Sequence, residues 1–187
     1  MLLAAVAVCL LCSASCSKPS SSSAADATQK KILVAYFSCT NTTRDVAERL
    51  AVVAGADLYQ IEPEVPYPDA DLDWTNESSR SSVEMKNPMS RPAIKQTLQN
   101  ADSYDMVFIG FPIWWYTAPT LVNTFVETYR FEGKVVVPFC TSGGSNIEKA
   151  QQSLQASSPN AVWRNGKLLN HATEESLKPW FEQLIKE

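Results

Sequence analysis

The chain of 187 residues contains one histidine, and its Cys-x-x-Cys, Cys9–Cys12, falls within an N-terminal apolar run, which argues against a zinc site of the usual His/Cys type. Asp69, Asp71 and Asp73 alternate, but the glycine and closing glutamate of a calcium loop do not follow at the required spacing. A basic stripe is also missing. Sixteen Lys and Arg face twenty Asp and Glu, giving a net charge of −4, so nucleic acid is not expected as a partner. No internal repeat is found. The longest apolar run, Leu2 to Cys12, is too short to span a bilayer permanently. What remains is globular, 45% hydrophobic and 19% charged, with room for one domain and a substantial core.

That apolar run has the form of a secretory signal, with small residues Ser13-Ala-Ser15 ahead of Cys16. Residues 1–16 are therefore read as a signal peptide and residues 17–30 as a flexible Ser-rich tether. Cys16 resembles the lipid-acceptor cysteine of a bacterial lipoprotein. Two features depart from that pattern, Ser13 at the −3 position and an n-region without Lys or Arg. The expectation is export to the cell envelope as a membrane-attached lipoprotein, the alternative a soluble periplasmic protein. Either way the membrane is met only through an N-terminal lipid. Cys39 and Cys140 fall at the ends of strands that are not expected to be neighbours. Strands two places apart lie roughly 9.5 Å from each other, beyond disulfide reach, so both thiols are expected to be free.

From Lys31 onward, apolar runs alternate with helical patterns. Strands are predicted over Ile32–Phe37, Asp57–Ile61, Met106–Phe111 and Lys134–Cys140, with a short fifth strand within Ala161–Leu169. Helices are predicted over Asp45–Ala54, Arg91–Gln99, Pro119–Tyr129, Asn146–Gln155 and Glu174–Ile185. The first is expected to be capped by Thr42 or Thr43 and closed by Gly55. Glu62–Ser90 shows no period and several prolines, and a segment of that kind suits a functional lid. Asp71–Arg80 is read as one or two helical turns carrying Trp74. Strands alternating with helices imply an α/β domain over residues 31–187, a doubly wound parallel sheet with helices on both faces. Ligands bind such sheets at the carboxyl ends of the strands.

Three unusual loops follow strands 1, 3 and 4, and so converge on that one end. Ser38-Cys-Thr-Asn-Thr-Thr43 offers hydroxyls and unpaired N–H groups at a helix N-terminus, with no cation before Arg44. It suits one phosphate held mainly by neutral donors and not cleaved. Pro112-Ile-Trp-Trp-Tyr-Thr-Ala-Pro119 carries three adjacent aromatics, which cannot all point inward, so at least one is available to stack on a planar heterocycle. Thr141-Ser-Gly-Gly-Ser145 allows close backbone approach, positive φ and free N–H donors. Together they describe a site for a nucleotide-like ligand with one phosphate and one large planar ring. His171 is read as a surface residue.

Taken in this order and at these strand ends, the three loops resemble those of the flavodoxin family, and the likeness covers residues 31–187. The resemblance implies a five-stranded sheet in order 2-1-3-4-5 with FMN at its switch point, a rule for which flavodoxin is a stock example. It further implies FMN phosphate on Ser38, Thr40, Asn41, Thr42 and Thr43. The isoalloxazine would lie between Pro112, Ile113, Trp114, Trp115 and Tyr116 on one side and Ser142, Gly143 and Gly144 on the other. Three features depart from the family pattern. Asn41 replaces a frequent glycine, though asparagine tolerates left-handed φ. Trp114–Tyr116 contains no glycine whose peptide could flip beside the flavin. Glu62–Ser90 is longer than in simple carriers.

The function implied is a flavodoxin-like redox protein moving electrons through non-covalently bound FMN. Its counterparts would be redox partner proteins or a small reducible substrate. The alternative within that reading is an FMN-dependent NAD(P)H or quinone-type oxidoreductase using Glu62–Ser90 as a lid. A fold that has lost its cofactor is a further rival, disfavoured by three intact loops. A low-molecular-weight phosphatase or arsenate reductase would use Cys39 and Arg44. Only four residues separate these two, where that chemistry uses five, and the aromatic loop would be left without a role.

Overall fold

The computed structural model describes residues 30–187. The signal segment with Cys16, and all of the tether but Lys30, lie outside the described residues. Strands β1 (Ile32–Tyr36), β2 (Asp57–Gln60), β3 (Met106–Pro112) and β4 (Val135–Thr141) form a parallel sheet. Its edge is completed by two short pieces, β5 (Val162–Trp163) and β6 (Lys167–Leu168), both paired with β4. The order is β2-β1-β3-β4-β5, the doubly wound arrangement expected from the sequence. Among the described residues no helix is long and apolar enough to cross a membrane.

Alternate residues of the central strands feed two cores, as a strand covered on both faces requires. Leu33, Ala35, Val107, Ile109 and Val136 pack with Leu121, Phe125 and Leu154 on one face. These last come from α4 (Thr120–Tyr129) and α5 (Glu148–Ser157). Ile32, Val34, Phe108 and Val137 pack on the other face with Leu50 and Leu177. There α1 (Thr42–Ala54) and α6 (Glu174–Lys186) cover the sheet. Gly110 is required by close approach. A Cβ there would stand 2.2 Å from the Phe139 ring on the paired strand.

The predicted fifth strand is interrupted because Pro138 sits opposite the gap. Proline has no N–H to give the ladder. The Arg164 carbonyl on the edge strand instead accepts from the Gln151 side chain at 3.2 Å, and Gly166 N–H donates to the same amide at 2.8 Å. One side-chain amide thus replaces the missing rung. Edge pairing resumes at Phe139–Lys167.

Three other expectations are corrected. Helix α1 begins at Thr42, three residues earlier than predicted, and its N-cap is Asn41, whose side chain makes no capping bond. Arg91–Gln99 is not helical. Glu64 N–H donates to the Ala93 carbonyl (2.8 Å) and Lys95 N–H to the Glu62 carbonyl (2.9 Å), so an antiparallel bridge between Pro63 and Ile94 claims that backbone. The apolar spacing of Ile94 and Leu98 reflects burial of an extended segment, with Leu98 N–H held by the Tyr129 hydroxyl at 2.6 Å. Finally, Glu62–Ser90 is built around two short helices, α2 (Asp69–Leu72) and α3 (Arg80–Lys86), with Trp74 between them and not on either.

That segment is pinned by polar contacts of its own. The Arg80 guanidinium lies 4.1 Å over the Tyr67 ring, donates to Glu84 at 2.7 Å and to the Val65 carbonyl at 2.6 Å. The Tyr67 hydroxyl donates to the other Glu84 oxygen at 2.5 Å. Beyond it, Arg91 meets Glu127 on α4 through two parallel bonds of 2.7 Å, the fork geometry in which arginine binds carboxylate best.

Candidate functional site

The first loop leaves β1 and turns into α1 through Asn41, at φ 65° and ψ −12°. A left-handed residue followed by a helical one points successive N–H groups to the same side, forming an anion-binding concavity. Among the described residues, no N–H from Ser38 to Arg44 donates to another protein group; Asp45 N–H is the first, bonding the Asn41 carbonyl at 2.9 Å. Thr40, Asn41 and Thr42 are exposed, Ser38 and Cys39 half-buried. The Thr43 hydroxyl points inward instead, sharing a 2.8 Å bond with the Thr141 hydroxyl at the end of β4. Arg44 is occupied by Glu48 at 2.7 Å. The donors facing outward here are neutral.

In the second loop, Trp114 and Thr117 exchange two backbone bonds of 3.0 Å. Between them Trp115 and Tyr116 stand at φ 45° and 68°, so this is a tight turn with both central residues left-handed. Such turns normally take Asn-Gly. Two aromatic side chains in that region cost about 1–2 kcal/mol each, and strain of this type gathers at functional positions. The turn also divides the aromatics. Trp114 folds inward, edge-on to Phe37 at 5.4 Å and to Tyr67 at 5.5 Å, whereas Trp115 and Tyr116 are 38% and 69% exposed.

The third loop differs from expectation in two respects. Neither Gly143 nor Gly144 has positive φ, and a Cβ on either would meet open space. Most of its N–H groups are also spoken for. Ser142 Oγ accepts from Gly144 (3.2 Å) and Ser145 (2.8 Å), and Ser142 N–H donates to Asn170 Oδ1 at 2.9 Å. Among the described residues, only the Gly143 N–H of Ser142–Ser145 has no protein acceptor. The bare surface of two glycines is what the loop offers.

Loops two and three meet around one cavity of about 530 Å³, within the range of small-molecule sites. Ile113, Trp114, Trp115 and Tyr116 line one wall and Ser142–Ser145 another. Leu72, Trp74 and Ser81 add a third wall from the Glu62–Ser90 segment. These three were not read from the sequence as site residues; an exposed tryptophan in a proline-rich stretch was the available signal. Loop one does not line this cavity. It adjoins it through Phe37, whose ring touches Trp114, and through the Thr43–Thr141 bond. On its outer side Thr40 and Thr42 share a shallow groove with Asp45, Arg49, His171 and Thr173. His171 is exposed, as expected, and holds φ 51°.

Both cysteines of the domain are free. Burial pushes the Cys39 thiol up to about 11, with nearby Arg80 only partly opposing it, and Cys140 up to about 12. A nucleophilic cysteine needs the opposite shift. Burial likewise raises Tyr59 and Tyr104 to about 12 and Tyr67 further in the same direction. For an acid whose folded-state pKa is raised, stability is complete below the unfolded value and is lost as pH climbs toward the folded one. The urea midpoint should therefore hold steady up to about pH 9 and fall progressively between about 9 and 12. A flat midpoint across that interval would show that these groups are not buried.

A family profile described as flavodoxin matches residues 31–184. The chain belongs to the flavodoxin family. A candidate flavoprotein from Bacteroides eggerthii DSM 20697 is 51% identical with a TM-score of 0.80, covering 83% of this chain and 98% of its own. A second from Bacteroides uniformis ATCC 8492 is 47% identical (TM-score 0.79), covering 82% and 98%. A flavoprotein from Lactobacillus acidophilus NCFM, solved in complex with FMN, shares the fold at 20% identity (TM-score 0.64; 81% and 99%). A search of curated proteins returns no match. Within the flavodoxin fold, the three loops described above all lie at the carboxyl ends of β1, β3 and β4.

Proposed function

We propose that this flavodoxin-family chain binds FMN non-covalently and passes electrons through it. The observation that carries the reading is the row of unpaired N–H groups from Ser38 to Arg44, set beside an aromatic-walled cavity. An uncompensated row of backbone donors at a helix N-terminus calls for an anion. The neighbouring cavity calls for a flat apolar body. FMN has both parts, and the residues present fit it. Ser38, Thr40, Asn41 and Thr42 would hold the phosphate through hydroxyl and N–H donors, with Thr43 contributing its N–H while its hydroxyl serves the core. Pro112–Tyr116 and Ser142–Gly144 would flank the ring. The flavin supplies the redox chemistry, and the chain sets its position and excludes water from it.

The three-walled cavity supports a second reading, an FMN-dependent oxidoreductase acting on a small substrate with reduced nicotinamide as donor. Leu72, Trp74 and Ser81 enclose space that a carrier docking edge-on to a partner protein has no need of. The counterpart would then be a small reducible molecule in place of a protein. The N-terminal segment fits export, with Cys16 as the lipid attachment point and the envelope as the location.

The test is reconstitution. Purified protein supplied with FMN should turn yellow, retain flavin through gel filtration and bind it at micromolar Kd or tighter. A colourless product under those conditions would end the FMN reading. Mixing the yellow protein anaerobically with NADPH then separates the two roles, since rapid bleaching without a partner reductase identifies an enzyme.

A further inference from the structure

Loop one follows β1 and loop three follows β4, and β3 lies between these strands. A short turn outside both loops nevertheless touches the two sides. After β6, Leu169 N–H donates to the Cys140 carbonyl at 2.9 Å, keeping the chain alongside β4. Asn170 then continues the ladder with its side chain. Its Oδ1 accepts from Ser142 N–H at 2.9 Å, and its Nδ2 donates to the Ser142 carbonyl at 2.6 Å. A carboxamide satisfying both backbone groups of one residue imitates a neighbouring strand, and it fixes the glycine loop at Ser142.

The chain then reverses at His171, held at φ 51°, and Ala172 N–H returns to the Leu169 carbonyl at 3.3 Å. From α1, Arg49 Nη1 donates to the Ala172 carbonyl at 3.2 Å. One residue on, Thr173 begins α6 with a reciprocal capping box to Ser176. The same turn lines the groove whose other wall is Thr40 and Thr42. Four consecutive residues therefore join the phosphate helix to the glycine loop, and the capped start of α6 anchors them.

We propose that the Asn170–Thr173 turn is a brace coupling the two halves of the ligand site, with Asn170 as its positioning residue. Ordering of the α1 N-terminus by a phosphate is transmitted through Arg49 and the turn to Ser142, so that the glycine loop is preorganised for the ring. Because the links act in series, breaking either end uncouples both loops. The proposal rests on the FMN reading.

The experiment compares FMN with riboflavin, which lacks the phosphate, on the full chain and on Asn170→Ala, Arg49→Lys and the double variant. Arg49→Lys keeps the charge near the phosphate but loses the directed bond. Asn170 is exposed, so its truncation should leave the fold and the melting temperature nearly unchanged. The ratio of riboflavin Kd to FMN Kd should fall about five- to tenfold in Asn170→Ala, a coupling typical of groups in one network. Arg49→Lys should lower it in the same direction. The double variant should fall no further than the larger single effect. A blue shift or broadening of the bound-flavin absorption in Asn170→Ala, absent in an unrelated surface variant, would report the loosened glycine loop. A ratio unchanged within about twofold, or additive losses in the double variant, overturns the brace. Failure of the unmodified chain to bind FMN at all is a different result and removes the FMN reading itself.

Discussion

Asn41→Asp should weaken FMN binding by at least about a hundredfold while changing riboflavin binding by less than about threefold. The substitution is nearly isosteric, and aspartate tolerates the left-handed backbone that Asn41 adopts at φ 65°. The helix start is therefore preserved. What changes is charge. A carboxylate about 4 Å from a phosphate dianion is repelled by roughly 4 kcal/mol per charge pair at an effective dielectric near 20, before salt screening reduces it. Compensation from nearby cations is limited, because Arg44 is committed to Glu48 at 2.7 Å and Arg49, in the adjoining groove, is held by the Ala172 carbonyl at 3.2 Å. Isothermal titration with both flavins decides the matter. An equal loss for FMN and riboflavin would mean that the phosphate sits elsewhere.

The second large effect concerns the aromatic turn. Replacing Trp115-Tyr116 by Asn-Gly should raise unfolding stability by about 1–2 kcal/mol and at the same time weaken flavin binding tenfold or more. Asparagine and glycine suit a turn with two left-handed residues, and the strain carried by two aromatics there is released. The packing lost on the stability side is that of Trp115, 38% exposed, since Tyr116 is 69% exposed and Trp114, the inward ring, is untouched. The ligand, however, loses its plate. Urea unfolding of the apoprotein and flavin titration read the two halves independently. A variant less stable than the parent would show that the turn is relaxed with its own side chains.

The strands and the loop positions were legible in the sequence because they depend on local patterns. Apolar runs such as Met106–Phe111 can be little else in a sheet covered on both faces, and the loops after them inherit their place from the topology. Where non-local contacts decide, the reading failed. Arg91–Gln99 has helical spacing, but its backbone is claimed by Glu62 and Glu64, some thirty residues away in sequence. The edge strand breaks because of Pro138 on its neighbour, not because of anything in Ala161–Leu169 apart from Gly166. At the site, the three residue clusters were visible but their allocation was not. That Thr43 would turn inward to Thr141, that Ser142 would cap its own loop, and that Trp74 would join the cavity all depend on partners remote in sequence. Asn170 gave no signal, because its role is to copy a strand that is not there.

The bridge between Pro63 and Ile94 brings the two feet of the intervening segment together on the body of the domain. An excursion whose entrance and exit are already stapled side by side is a cassette. It can be lengthened, shortened or exchanged for another without moving the strand ends that carry the three loops, at the cost of re-covering Phe37 and Trp114 where Tyr67 now lies. Selectivity for whatever approaches the third wall can thus diverge among relatives at one insertion point while the machinery beneath it stays fixed.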